Sequence, residues 1–276
     1  MKKIYIILFI SCFAASLSWA QTVLTDSIES QLMNRKVATT VILPAGYDTT
    51  RVYPVLYLLH WWGGNNESFL ETNLPAELKN RQIIVVTPDA GTCWYVNSFS
   101  DPAAQYESFM TKELFTYIDK QYKTDPSWQG IGGFSMGGYG ALLVGLKHPE
   151  RFTFIADMCG AINAPFYDIP LNPESPLNFI MSSVREAFGD EKSYQSRGTD
   201  VFEIVRNIKK GGNQYVYMAM ATKDEFDFIV PQHQKLKKEL DKKKIKYHYT
   251  EIEGGHFDGI VFSTCLPEML DHFTKK

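Results

Sequence analysis

Two rhythms of apolar and polar positions alternate along this chain. Short runs rich in β-branched and aromatic residues, at 37–43, 52–59, 82–87, 152–158, 215–221 and 246–252, predict strands. Stretches with helical spacing, at 114–122, 139–147, 231–243 and 267–275, lie between and after them. Strands that alternate with helices predict an α/β fold, with a mostly parallel central sheet and helices on both faces. In such sheets chemistry collects at the carboxyl ends of the strands.

The opening residues break that rhythm. Met1-Lys2-Lys3 is followed by an apolar run from Ile4 to about Leu17 and then by Ser18-Trp19-Ala20-Gln21. This order predicts a secretory signal peptide over 1–20, cleaved after Ala20. The run is shorter than the roughly 20 residues that span a bilayer. Phe9-Ile10-Ser11-Cys12 offers lipoprotein anchoring at Cys12 as the alternative to simple export. The expected product is secreted or periplasmic, with no integral membrane segment after cleavage. No linker or repeat divides residues 21–276, which predicts a single catalytic domain. Within it, residues 161–197 are irregular and carry Pro165, Pro170, Pro173 and Pro176 before a helical stretch near 178–188. That reads as a short lid-like insertion shaping a pocket.

Charge and cysteine content narrow the partners. Loss of Lys2 and Lys3 from 28 basic residues leaves 26 against 31 acidic ones, a net charge of 26 − 31 = −5. That balance argues against nucleic acid. Cys93, Cys159 and Cys265 permit one bridge but set no pairing. No C-x-x-C or H-E-x-x-H spacing occurs, so no metal site is expected from motifs. Nothing in the pattern sets the oligomeric state.

Gly133-Phe134-Ser135-Met136-Gly137 is the most informative segment. G-x-S-x-G marks a sharp strand-to-helix turn that exposes a serine, and its glycines relieve crowding two residues either side. The segment 128–131, which reads as a short buried strand, and the helical run 139–147 give the strand, elbow and helix that the motif needs. Serine is a poor nucleophile without a base in hydrogen-bond reach. Of six histidines, His148 suits a helix C-terminus, His233 and His272 fall on charged helices and read as solvated, and His248 reads as a strand-face residue. His256 follows Glu253-Gly254-Gly255 after the last strand, where a base belongs in the order Ser…Asp…His. Asp224 stands at the end of the penultimate strand as the acid, with Asp227 and Glu225 as rivals. Backbone N–H groups for an oxyanion are expected from Met136 and from Trp62, with Trp61 second. His60 then bonds loop backbone.

Pro54 to His60, Trp94-Tyr95-Val96-Asn97, the elbow through Gly140, and Gly254-Gly255-His256 together resemble the esterase D-like family of α/β-hydrolases. That family includes the feruloyl and acetylxylan esterases of carbohydrate esterase family one, tributyrin-type esterases, S-formylglutathione hydrolases and mycolyltransferases. The resemblance spans most of the chain after the leader. It implies the α/β-hydrolase fold and a serine carboxylic-ester hydrolase that works through an acyl-enzyme and needs no cofactor. Ala221-Thr222-Lys223-Asp224 looks like the family's G-T-x-D segment, which favours Asp224. Relatives carry glycine where Trp61 stands, so a positive φ there would strain the loop.

Trp61, Trp62, Trp94 and Tyr95 are expected near the serine, where flat apolar walls suit sugar faces or aromatic acyl groups. Export disfavours a glutathione thioester and favours acylated carbohydrate, feruloyl or acetyl, or another short-chain ester. The alternatives are an acyltransferase using the same triad and a non-catalytic carbohydrate-binding protein.

Overall fold

The structure, a computed structural model, describes residues 20–166, 178–192 and 197–275. The expected leader up to Trp19, with Cys12, lies outside the described residues, as do Pro170, Pro173 and Pro176. No helix among the described residues is long and apolar enough to cross a membrane.

Eight strands form one sheet: β1 (Thr22–Ser30), β2 (Arg35–Leu43), β3 (Tyr53–Leu59), β4 (Ile84–Pro88), β5 (Thr124–Phe134), β6 (Phe154–Met158), β7 (Tyr215–Ala221) and β8 (Lys246–Ile252). Their order is β1-β2-β4-β3-β5-β6-β7-β8. β1 and β2 run antiparallel to their neighbours, and the strands from β4 through β8 pair in parallel. The period of two in each strand divides the core. Val55, Tyr57 and Leu59 of β3 face one side, and Leu56 and Leu58 face the other. Both faces are covered, which is why the central strands read as unbroken apolar runs.

Helices cover both sides. α1 (Phe115–Gln121), α2 (Met136–Lys147), α3 (Met181–Phe188), α4 (Val201–Asn207) and α5 (Ile229–Lys243) contribute to the first core. α6 (Gly259–Thr274) lies on the second. α2 is the central helix, buried on every side from Met136 to Leu146, so it carries no polar stripe. Leu142, Leu143 and Val144 are each fully enclosed, worth roughly 1.5–3 kcal/mol apiece on burial.

The parallel strands and the helices α1, α2, α3 and α5 stand close to their expected positions. β1 was not anticipated, because Thr, Asp and Ser dilute the alternation of an edge strand held only by β2. α4 also went unread; Asp200 caps it by accepting the amides of Phe202 and Glu203. α6 begins eight residues before the expected start and carries Pro267 inside it. A proline that reads as a helix start is here tolerated in mid-helix.

Gly145 shows how tightly α2 seats. A Cβ there would lie 2.7 Å from the Ile155 side chain and 2.9 Å from that of Ile131. Gly145→Ala is expected to cost about 1–3 kcal/mol in urea denaturation. Gly212→Ala, whose nearest neighbour would be 3.9 Å away, is expected to change stability little. Equal effects would contradict this packing.

Candidate active site

β5 ends at Phe134 and α2 begins at Met136, so one residue makes the turn between them. Ser135 makes it at φ 55°, ψ −114°, a conformation costing on the order of 1–3 kcal/mol for a residue with a side chain. Packing holds it there. A Cβ on Gly133 would fall 2.3 Å from the Gly137 carbonyl, and one on Gly137 only 2.0 Å from the Leu59 oxygen. The Ser135 amide donates to the Met158 carbonyl at 2.9 Å, and its own carbonyl accepts from Ala161 at 3.3 Å.

The fold brings the three expected side chains into one relay. His256 Nε2 lies 2.9 Å from Ser135 Oγ, and His256 Nδ1 lies 2.8 Å from Asp224 Oδ2. The imidazole is 2% exposed and the Asp224 carboxylate is fully buried. The second oxygen of Asp224 accepts the Phe226 amide at 2.9 Å, which fixes the carboxylate plane. Glu225 turns out to hold the histidine loop, accepting the His256 amide at 2.6 Å. Asp227 is exposed and takes no part in the relay. Rings of Phe134, Phe226 and Phe257 surround the imidazole, with centroids 4.9–5.1 Å away.

Above the serine lies the loop that follows β3. Trp61 and Trp62 are not among the residues with positive φ; Gly63 takes that conformation at φ 74°. Tryptophan in place of glycine at 61 therefore carries no left-handed strain. His60 is fully buried, with Nδ1 2.7 Å from the Trp61 carbonyl and Nε2 accepting the Ala90 amide at 2.9 Å. The Met136 and Trp62 amides have no acceptor among the described residues.

Tyr95 is a correction. It does not reach the pocket: it is fully buried under this loop, its ring against Gly140 and its hydroxyl donating to the His60 carbonyl at 3.0 Å. Burial pushes its phenol well above the ordinary tyrosine pKa.

A cavity of about 400 Å³ opens beside Ser135, Met136 and His256. Trp61, Trp62 and Trp94 line it as expected, although Trp94 is only 1% exposed. One hydroxyl organises two of them. Ser183 Oγ of α3 accepts the indole N–H of Trp62 at 2.9 Å and of Trp94 at 3.1 Å, and donates to the Ile180 carbonyl. The insertion helix is thus tied to the pocket wall.

The remaining wall is mostly phenylalanine: Phe134, Phe166, Phe179, Phe226, Phe228, Phe257 and Phe262. These went unread. A signal was present, because Phe134, Phe226 and Phe257 lie within two residues of Ser135, Asp224 and His256. At the rim, Phe179 and Phe257 are 54% and 71% exposed.

His233 is a second correction. It is not solvated but fully buried, with Nε2 3.0 Å from Asp157 Oδ2, itself fully buried. Nδ1 lies 2.8 Å from the Ile229 carbonyl. Both ring nitrogens face acceptors, so the imidazolium is the form that suits the site. The pair joins α5 to the end of β6, one residue before Met158, whose carbonyl holds the Ser135 amide. His272 is half-buried beside His248 and Tyr215, not free in solvent. Cys93, Cys159 and Cys265 are free thiols. Burial raises all three thiol pKa values.

The family model described as Putative esterase matches residues 30–273. An acetyl esterase of Caldicellulosiruptor saccharolyticus is 31% identical over 212 residues, covering 73% of this chain and 76% of that protein. An endo-1,4-beta-xylanase/feruloyl esterase of Xylanibacter ruminicola is 32% identical over 144 residues, 45% of this chain and 20% of that longer protein. A solved ferulic acid esterase superposes with a TM-score of 0.72 at 23% identity, over 93% of this chain and 98% of that one, a likeness of fold.

The His233–Asp157 pair has a pH consequence. Burial works to lower the His233 pKa, but the Asp157 charge and the Ile229 carbonyl outweigh it and hold the imidazole above its usual value. Its contribution to stability is complete below the unfolded histidine pKa of about 6.5 and is lost as pH rises through the higher folded value. Unfolding free energy is expected to fall between about pH 6 and pH 9 by more in the wild type than in His233→Gln. Parallel pH profiles in urea titrations would contradict the charged pair.

Proposed function

This chain belongs to the putative esterase family of α/β-hydrolases, carboxylic ester hydrolases, and on that premise we propose a serine esterase specific for esters of aromatic acids. The observation that carries this reading is the Ser135–His256–Asp224 relay at the foot of an aromatic cavity. Ser135 Oγ attacks the ester carbonyl while His256 Nε2 takes its proton. Asp224 accepts a hydrogen bond from the Nδ1–H group, fixes the tautomer and stabilises the imidazolium. The Met136 and Trp62 amides bind the oxyanion. His256 then returns the proton to the leaving alkoxide, giving an alcohol and an acyl-enzyme. Water, deprotonated by His256, releases the acid and restores Ser135.

Cavity size and chemistry choose the acyl group. A space of about 400 Å³ exceeds what an acetyl group fills, and three indoles with seven phenyl rings suit a planar cinnamoyl or feruloyl unit. The alcohol points outward past Phe179 and Phe257, where a sugar can stack. A cleaved leader at Ala20 fits action on acylated polysaccharide outside the cytoplasm. No cofactor enters the scheme.

Initial rates on methyl ferulate and ethyl acetate test the reading. Ser135→Ala is expected to lower kcat by about 10⁴- to 10⁶-fold on both. Methyl ferulate is expected to exceed ethyl acetate by at least about tenfold in kcat/KM, and Phe257→Ala to erode that preference several-fold. Turnover that survives Ser135→Ala would overturn the nucleophile. Preference for acetate would overturn the acyl assignment, and transfer to an added sugar hydroxyl in place of water would assign the acyltransferase alternative.

A further inference from the structure

A second constellation lies away from the pocket, between the edge strand β8 and α6. The register pairs Tyr217 of β7 with His248 of β8, and Ala219 with Thr250. Paired residues of parallel strands share a face, and Tyr217 and Ala219 belong to the core that α6 covers. His248 and Thr250 therefore point at α6, where Glu268 and His272 stand four residues apart on one side of the helix. The alternate residues Tyr247 and Tyr249 pack against the opposite core. The coordinating atoms of His248, Glu268 and His272 all lie within 4.8 Å of one another.

We propose that His248, Glu268 and His272 form a binding site for a borderline divalent cation, Zn²⁺ in first place. Two imidazoles and one carboxylate with water in the fourth position is a donor set that zinc accepts, and the half-buried setting leaves room for that water. His248 Nε2 and Glu268 Oε1 are 2.9 Å apart, close to the roughly 3.3 Å between ligand atoms around a tetrahedral ion with bonds near 2.0–2.1 Å. The imidazole rings of His248 and His272 have centroids 4.4 Å apart, which sets both beside one ion position.

The surroundings supply the outer hydrogen bonds that orient metal ligands. Glu268 Oε2 accepts from Tyr217 at 2.9 Å and from Thr250 at 2.8 Å, leaving Oε1 for the ion. Tyr215 lies 3.0 Å from His272 Nδ1, leaving Nε2 available. Tyr217 and Tyr215 also stack on the two imidazoles at 13° and 21°, which restricts ring rotation. A bound ion would tie the sheet edge to the last helix. No sequence motif announces this site, because one ligand comes from a strand and two from a helix.

Zinc titration of the protein, stripped with a chelator and followed by isothermal calorimetry, tests this without reference to ester turnover. The wild type is expected to bind one equivalent at micromolar zinc, and a cobalt derivative to show visible d–d absorption. His248→Ala and His272→Ala are each expected to weaken binding at least tenfold, and Tyr215→Phe, which keeps its ring, about tenfold. His256→Ala is expected to bind as the wild type does. Absence of binding at 100 µM zinc overturns the proposal, as does wild-type affinity in Tyr215→Phe and in the histidine variants. Loss of binding in His256→Ala also overturns it, by moving the ion to Cys159, Asp224 and His256. Should the alanine variants fail to fold, Tyr215→Phe and the cobalt spectrum still decide.

Discussion

The active centre depends on how closely the elbow backbone approaches the end of β3. Gly137 sits where a single added carbon would stand 2.0 Å from the Leu59 carbonyl, and Gly133 faces Gly137 with as little room. That proximity holds Ser135 at positive φ and brings the start of α2 against the loop carrying Trp61 and Trp62. The elbow and the loop after β3 are thereby held side by side. β3, β5 and β6 must be adjacent for this, and the sheet order makes them so. The strain at Ser135 is offset by the packing of α2, which is buried from Met136 to Leu146.

Around that point the polar side chains are few and held by hydrogen bonds. Ser183 satisfies two indole N–H groups, Glu225 holds the His256 backbone, and His60 braces its own loop from below. The rest of the wall is hydrocarbon and aromatic ring. In such a setting charge is poorly screened, so the Asp224 carboxylate acts on the His256 imidazole at greater strength than it would in water. Beneath the elbow, the charged pair of His233 and Asp157 locks α5 to β6. Breaking it would leave a buried charge without a partner, so it constrains the position of the elbow as well as the stability of the fold.

Much of this was legible in the chain. The parallel strands announced themselves as apolar runs because both faces are covered, and G-x-S-x-G fixed the elbow because only glycine fits beside it. Asp224 and His256 could be placed because both follow strands at one edge of the sheet. Misreadings share a cause: the sequence lists neighbours along the chain, not across it. His233 looks solvated among lysines on α5, yet the helix turns it inward to Asp157, 76 positions away. Tyr95 sits beside Trp94, but one ring enters the pocket and the other packs on Gly140. β1 escaped notice because an edge strand need bury only part of one face. The phenylalanine wall is assembled from five separate segments, so its density emerges only on folding.

Covalent capture of the nucleophile tests the central claim most directly. The protein would be treated with diisopropyl fluorophosphate, which phosphorylates an activated serine, and the adduct mapped by peptide mass spectrometry. The expected result is one equivalent of label on Ser135, prevented by Ser135→Ala and slowed strongly by His256→Ala. Failure to label, or label on another residue that persists in Ser135→Ala, would contradict the account.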